Sequence, residues 1–194
     1  MAELRLFWAL NLPGELKTKL AGFQAELKKI SPDAKWVEQE NLHLTVKFLG
    51  AVESSRVPAL TQAVAKSVSG LAPFRLELAG WGTFGRPARV LWTGVTGDLA
   101  DLQELRTRVE AALVPLGFAA EKKPFSPHLT LARFRSSRNL VALREQASAL
   151  AAEQGLWGEF MVDRIDLMRS TLTRQGPVYR VISAVDLTDN PGQL

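Results

Sequence analysis

The spacing of apolar positions divides the chain into short strands and amphipathic helices. Leu4–Leu12 is short, apolar and aromatic, and Pro13 stops it, which predicts a strand. Gly14–Ile30 places Leu16, Leu20, Phe23 and Leu27 on one helical face. Ser31-Pro32-Asp33 reads as a turn, Ala34–Val37 as a short strand, and Leu42–Leu49 as a strand ending at Gly50. Ser54–Ser69 predicts a helix capped by Ser54 or Ser55, and Phe74–Ala79 a strand. Beyond this the order repeats: a strand Val90–Val95, a helix Asp98–Leu116 with Leu99, Leu102, Leu105, Val109 and Leu113 inward, a strand Leu129–Phe134, a helix Leu140–Gln154 and a strand Val162–Arg169. Val178–Leu187 reads as a closing strand, and Asn190-Pro191-Gly192 as a frayed tail.

The repetition extends to local sequence. Arg5-Leu6-Phe7-Trp8 returns as Arg89-Val90-Leu91-Trp92, Gly14-Glu15-Leu16 as Gly97-Asp98-Leu99, and Ser54-Ser55-Arg56 as Ser136-Ser137-Arg138. Phe74 aligns with Phe160 at nearly the same offset. The period is too long for a solenoid, whose repeats run roughly 20–50 residues. The expected architecture is α+β. It is one domain of two pseudo-symmetric lobes (repeats of roughly 4–80 and 88–170, closing strand 178–187). Two antiparallel-rich sheets face each other across a central cleft, with helices packed outside.

A chain of 194 residues suffices for one well-buried core. It has no cysteine, which excludes disulfides, thiolate catalysis and thiolate metal sites. No apolar run approaches a membrane span and the start does not read as a secretory signal, so a cytoplasmic protein, a monomer without a membrane partner, is expected. A net charge of +4 mildly favours an anionic partner such as a phosphate-bearing molecule or RNA.

The chemistry lies in the two histidines, the only ones in the chain. Each opens a copy of one motif: His43-Leu44-Thr45-Val46 and His128-Leu129-Thr130-Leu131. Alternate residues of a strand share a face, so His43, Thr45 and Lys47 fall on one side and Leu44, Val46 and Phe48 on the core side. In the second copy His128 and Thr130 share a face, while Arg133 falls on the core side unless a bulge or strand end turns it. A lone strand histidine is ordinarily structural, and Thr is a good strand former. Here both histidines occupy duplicated positions. Two imidazoles converging on one cleft suit a phosphate ester: one takes a proton from the entering oxygen and the other gives one to the leaving oxygen. Threonine hydroxyls and a cation, Lys47 or Arg133, would hold the non-bridging oxygens. No acid adjoins either motif on the inward face, and zinc spacings, glycine-rich phosphate loops and a nucleophile elbow are absent, so neither metal nor cofactor is expected.

At these residues the chain resembles the two-histidine phosphoesterase superfamily, and within it the LigT-like RNA 2′,3′-cyclic phosphodiesterases, also called 2′-5′ RNA ligases. The likeness covers Arg5–Leu12, the segment His43–Gly50, Arg89–Trp92, Pro127–Arg133 and Leu167–Ser170, then Gly176-Pro177-Val178-Tyr179. It implies metal-independent hydrolysis of a terminal 2′,3′-cyclic phosphate to a 2′-phosphate, with His43 as proton donor and His128 as proton acceptor. It implies reversible 2′-5′ ligation in some relatives, and raises Arg133 as a phosphate contact. The implied partner is RNA with a cyclic-phosphate end, such as tRNA fragments or oligoribonucleotides. Phe48, Trp36, Trp81 and Phe84 are candidates for stacking a base, and Arg86, Arg89, Lys122 and Lys123 for guiding the strand. Two other readings share the cleft: a non-catalytic binder of RNA ends, and a phosphodiesterase acting on a small cyclic phosphate such as ADP-ribose 1″,2″-cyclic phosphate.

Overall fold

The computed structural model describes residues 2–30, 33–174 and 176–189. Ser31 and Pro32 of the expected turn, and the tail Asn190-Pro191-Gly192, lie outside the described residues. The elements run β1 (Glu3–Asn11), α1 (Gly14–Ile30), β2 (Ala34–Trp36), β3 (His43–Glu53), α2 (Val57–Val68), β4 (Phe74–Phe84), β5 (Val90–Gly97), α3 (Leu99–Leu113), β6 (His128–Phe134), α4 (Leu140–Gln154), β7 (Leu156–Val162), β8 (Arg164–Leu172) and β9 (Pro177–Asp186).

The helices bury the faces their spacing marked. Leu16, Leu20, Phe23 and Leu27 of α1 are buried, as are Leu102, Leu105, Val109 and Leu113 of α3. Leu99, in the first turn of α3, is instead 41% exposed. Neither Ser54 nor Ser55 caps α2: Ser54–Arg56 forms a 3-10 turn, and Pro58 occupies the start of the helix, where its missing N–H costs no hydrogen bond. The helix expected to reach Leu116 ends at Leu113. A 3-10 turn containing Pro115 follows, closed by Gly117 at φ 88°.

All strand pairs are antiparallel, in two sheets ordered β3-β1-β8-β9 and β2-β6-β5-β4-β7. α2 and α3 pack against the first sheet, and α1 and α4 against the second. The expected α+β arrangement of two antiparallel sheets with outer helices is therefore the one observed. The expected strand Val162–Arg169 is in fact two. The chain leaves the second sheet at Val162 and enters the first at Arg164, with Asp163 at the crossing, where its carbonyl accepts the Leu187 N–H at 2.7 Å. β4, from the first half of the chain, pairs with β5 in the second sheet, and β8 pairs with β1 in the first. Each sheet thus contains strands from both halves of the sequence.

Two positions of irregular register matter for the cleft. Along β3 the pairing steps from Ala9↔Thr45 to Trp8↔Lys47, so Val46 is an extra residue. Along β6 it steps from Trp92↔Thr130 to Leu91↔Ala132, so Leu131 is extra. A bulge reverses the facing of every residue beyond it. Past Val46, Lys47 turns to the side of buried Trp8, and Phe48 pairs with Phe7 on the opposite side. The expected faces of Lys47 and Phe48 are exchanged, and Phe48 is 67% exposed rather than core. A further bulge at Leu49, with Gly50 at φ 76°, carries β3 on to Glu53 instead of ending it at Gly50.

Candidate active site

A cavity of about 410 Å³ lies between the sheets and takes lining residues from both. His43 and Thr45 of β3, His128 and Thr130 of β6, and Arg133, Lys47 and Phe48 all contribute to it. The leucines and valine between the paired polar residues (Leu44, Val46, Leu129, Leu131) are buried and hold the two strands against the core.

The imidazoles are oriented the same way. His43 donates Nδ1–H to the carbonyl of Asn41 at 2.7 Å, and His128 donates Nδ1–H to the carbonyl of Ser126 at 2.7 Å. In both, the acceptor is the carbonyl two residues upstream. A ring whose Nδ1 carries the proton must do its chemistry at Nε2. His43 Nε2 is 3.0 Å from Thr45 Oγ1. Asn41 has a second function: its side-chain amide donates to the Pro177 carbonyl at 2.7 Å, tying the turn before β3 to the start of β9.

The aromatic surroundings of the two rings differ. His43 rests against Phe7, with ring centroids 4.9 Å apart, and meets Tyr179 edge-on at 5.2 Å. His128 meets Phe84 edge-on at 4.8 Å and Trp92 at 6.5 Å. Burial lowers the pKa of His43 below the ordinary imidazole value; the Asn41 carbonyl opposes this and the charge of Lys17 adds to it. Burial raises the Tyr179 hydroxyl, against the opposing charges of Arg133 and Arg5.

Arg133 reaches the cavity because of the bulge at Leu131, the device that its position in an unbroken strand lacks. Phe48 follows the corresponding bulge in β3, so an exposed aromatic and an exposed guanidinium occupy matching places on the two strands. The ammonium of Lys47 is enclosed: it donates to Glu110 at 3.3 Å and to the Ala119 carbonyl at 2.6 Å. Of the other candidates, Lys123 borders the cavity, while Arg86, Arg89 and Lys122 are exposed elsewhere. Trp36 and Trp81 are packed against the core. Tyr179, Asn41 and Ser126 were not among the sequence candidates. The signal for Tyr179 was present, since the chain's only tyrosine follows Gly176-Pro177 at the head of a strand. Among the described residues no three His, Asp or Glu side chains gather as a metal-holding group, and no helix is long and apolar enough to cross a membrane.

Two interlaced sheets with one His-x-Thr strand each, opening on a shared cavity, define a class of two-histidine fold. Comparison gives the family: the profile of the 2′-5′ RNA ligase superfamily matches residues 16–174, and the chain belongs to that superfamily. A protein of Aeropyrum pernix named RNA 2′,3′-cyclic phosphodiesterase is 37% identical over 169 residues, covering 86% of this chain and 94% of the relative. One of Methanocaldococcus jannaschii with the same name is 35% identical over 181 residues, covering 92% and 98%. The crystal structure of Escherichia coli LigT in apo form superposes with a TM-score of 0.76 at 26% identity, covering 97% of this chain and 99% of that one.

Proposed function

We propose that this protein is a hydrolase that opens the terminal 2′,3′-cyclic phosphate of RNA by acid–base catalysis between His43 and His128, leaving a 2′-phosphate. The observation that carries the reading is the matched pair of Nδ1–H bonds, which leaves Nε2 of each ring for one cavity. The names of the relatives support the substrate class.

Nε2 of neutral His128 takes a proton from water as its oxygen attacks phosphorus. Nε2–H of protonated His43 delivers a proton to the 3′ oxygen as the P–O3′ bond breaks. The proton count closes with the two rings exchanged in state, and solvent restores them. Thr45 and Thr130 donate to the non-bridging oxygens, where charge builds up, and Arg133 neutralises it. Lys47 is enclosed in the cavity wall by Glu110 and the Ala119 carbonyl, so the reacting phosphate is left to Arg133. Phe48 offers a free face for a nucleobase. Burial of His43 disfavours its imidazolium in the free protein; a phosphate anion against Nε2 offsets that on binding. The same exchange with a 5′-hydroxyl in place of water joins two RNA ends through a 2′-5′ bond.

The test is end-group analysis of an oligoribonucleotide ending in 2′,3′-cyclic phosphate, incubated with the protein and a chelator. A 2′-phosphate product is expected. A 3′-phosphate product would reverse the roles of the histidines. Binding without turnover from pH 5 to 9 would make the protein an RNA-end binder. Preference for ADP-ribose 1″,2″-cyclic phosphate in competition would shift the substrate to a small cyclic phosphate.

A further inference from the structure

The cavity wall near His128 carries a charge imbalance that the reacting phosphate does not use. Arg106 of α3 and Lys47 of β3 are 7% and 8% exposed, and both turn to one carboxylate. Glu110 Oε1 accepts from Arg106 Nη2 at 3.1 Å, from Lys47 Nζ at 3.3 Å and from the Glu121 backbone N–H at 3.3 Å. The other partner of Lys47 is a neutral carbonyl, that of Ala119. Among the described residues, Arg106 Nε has no hydrogen-bond partner, and the guanidinium lies over the Phe125 ring at 4.6 Å. Glu121 also borders the cavity, its Oε1 accepting from the backbone N–H groups of Lys122 and Lys123, and Lys123, which borders the cavity as well, offsets its charge.

Two enclosed cations therefore share a single anion. An unneutralised buried charge is costly and is tolerated best where a ligand completes it. The location is specific, because Phe125 immediately precedes Ser126, whose carbonyl orients His128. Arg133, by contrast, interacts electrostatically with Tyr179, which packs on His43. The cavity has cationic groups toward both histidines.

We propose that Arg106, Lys47 and Lys123 form a second anion subsite, which binds a phosphate of the substrate other than the reacting one: the 5′-phosphate or phosphodiester of the terminal nucleotide. The inference rests on the cyclic-phosphate reading for the reacting end. It makes the protein selective for chain ends over cyclic nucleosides that lack a 5′-phosphate.

The experiment compares kcat/KM for adenosine 2′,3′-cyclic phosphate with that for its 5′-phosphorylated form. The 5′-phosphate should raise kcat/KM roughly tenfold or more, the increment of one charge-assisted hydrogen bond. In Arg106→Gln the ratio should collapse toward one. In Glu110→Gln, which removes the competing anion, it should rise. Because each ratio compares two substrates on one protein, partial loss of folded enzyme cancels, and the opposite sign of the Glu110 variant separates charge from packing. A parent ratio near one, an unchanged ratio in Arg106→Gln, or a fall in Glu110→Gln would overturn the subsite. If the parent hydrolyses neither these compounds nor an oligoribonucleotide ending in 2′,3′-cyclic phosphate, the cyclic-phosphate reading fails by itself. The subsite is then read by calorimetric titration with adenosine and AMP, where equal affinities would remove it as well.

Discussion

Replacing Gly82 by alanine tests how the second histidine is held. Gly82 of β4 pairs with Trp92 of β5, and the indole lies directly across it. A Cβ at position 82 would stand 2.2 Å from Trp92 Cζ2 and 2.5 Å from Cη2, well inside the 3.4 Å of ordinary contact. The overlap is with a rigid ring, so Trp92 must move as a unit. Overpacking of this kind costs about 1–3 kcal/mol. For a chain of this size about 2 kcal/mol lowers Tm by roughly 4–8 °C. The displaced ring is not isolated, since it packs on Phe84 at 5.2 Å and on His128 at 6.5 Å. A misplacement of about 1 Å at a reacting group costs on the order of a hundredfold in rate. The Ser126 carbonyl and Phe84 still hold His128, so a loss of about tenfold in kcat is the expectation. Thermal melting followed by circular dichroism, together with steady-state hydrolysis, reads both effects. Adding Trp92→Leu should restore part of the lost stability, giving a coupling of about 0.5–3 kcal/mol in a double-mutant cycle. If Gly82→Ala melts within about 1 °C of the parent and keeps its kcat, the packing argument for His128 is wrong.

Single His43→Ala and His128→Ala variants should each lower kcat by about 10²–10⁴, and the double variant by little more than the worse single one, because the rings act as a unit; additive losses in rapid-quench assays would contradict this. The proton resonances of His43 should titrate below the ordinary imidazole value of 6.5, and Lys17→Gln should move the midpoint upward by removing a positive charge; an unmoved midpoint counts against the coupling. Between the lowered folded value and 6.5 the unfolded chain binds more protons, so this ring's contribution to stability is complete above that window and is lost as the pH falls through it. Phe48→Ala should raise KM for RNA ends by about 5–150-fold, from roughly 1–3 kcal/mol of stacking; since the side chain is 67% exposed, its Tm should barely change, and a large drop in Tm with unaltered KM would make it a structural residue.

Most local elements and the candidate catalytic groups were written in the chain. The helical spacing of α1 and α3, the strand around each histidine and the duplication of the motif follow from periodicities that a few neighbouring residues set. The two histidines, the two threonines and the leucines behind them all occupy the faces that alternation assigns. What the chain did not disclose concerns partners distant in sequence. The break at Asp163 was not read locally: Val162–Arg169 reads as one strand, and only pairing with two different sheets shows where it divides. The bulges at Val46 and Leu131 exist only relative to β1 and β5. They exchange Phe48 with Lys47 and bring Arg133 into the cavity, a result that alternation within one strand reverses. Tyr179 reaches His43, and the Asn41 side chain reaches the Pro177 carbonyl, only because β9 joins the first sheet. Residue type and period determined which groups are candidates for the chemistry; cross-strand register, a relation between segments far apart in the chain, decided which of them face one another.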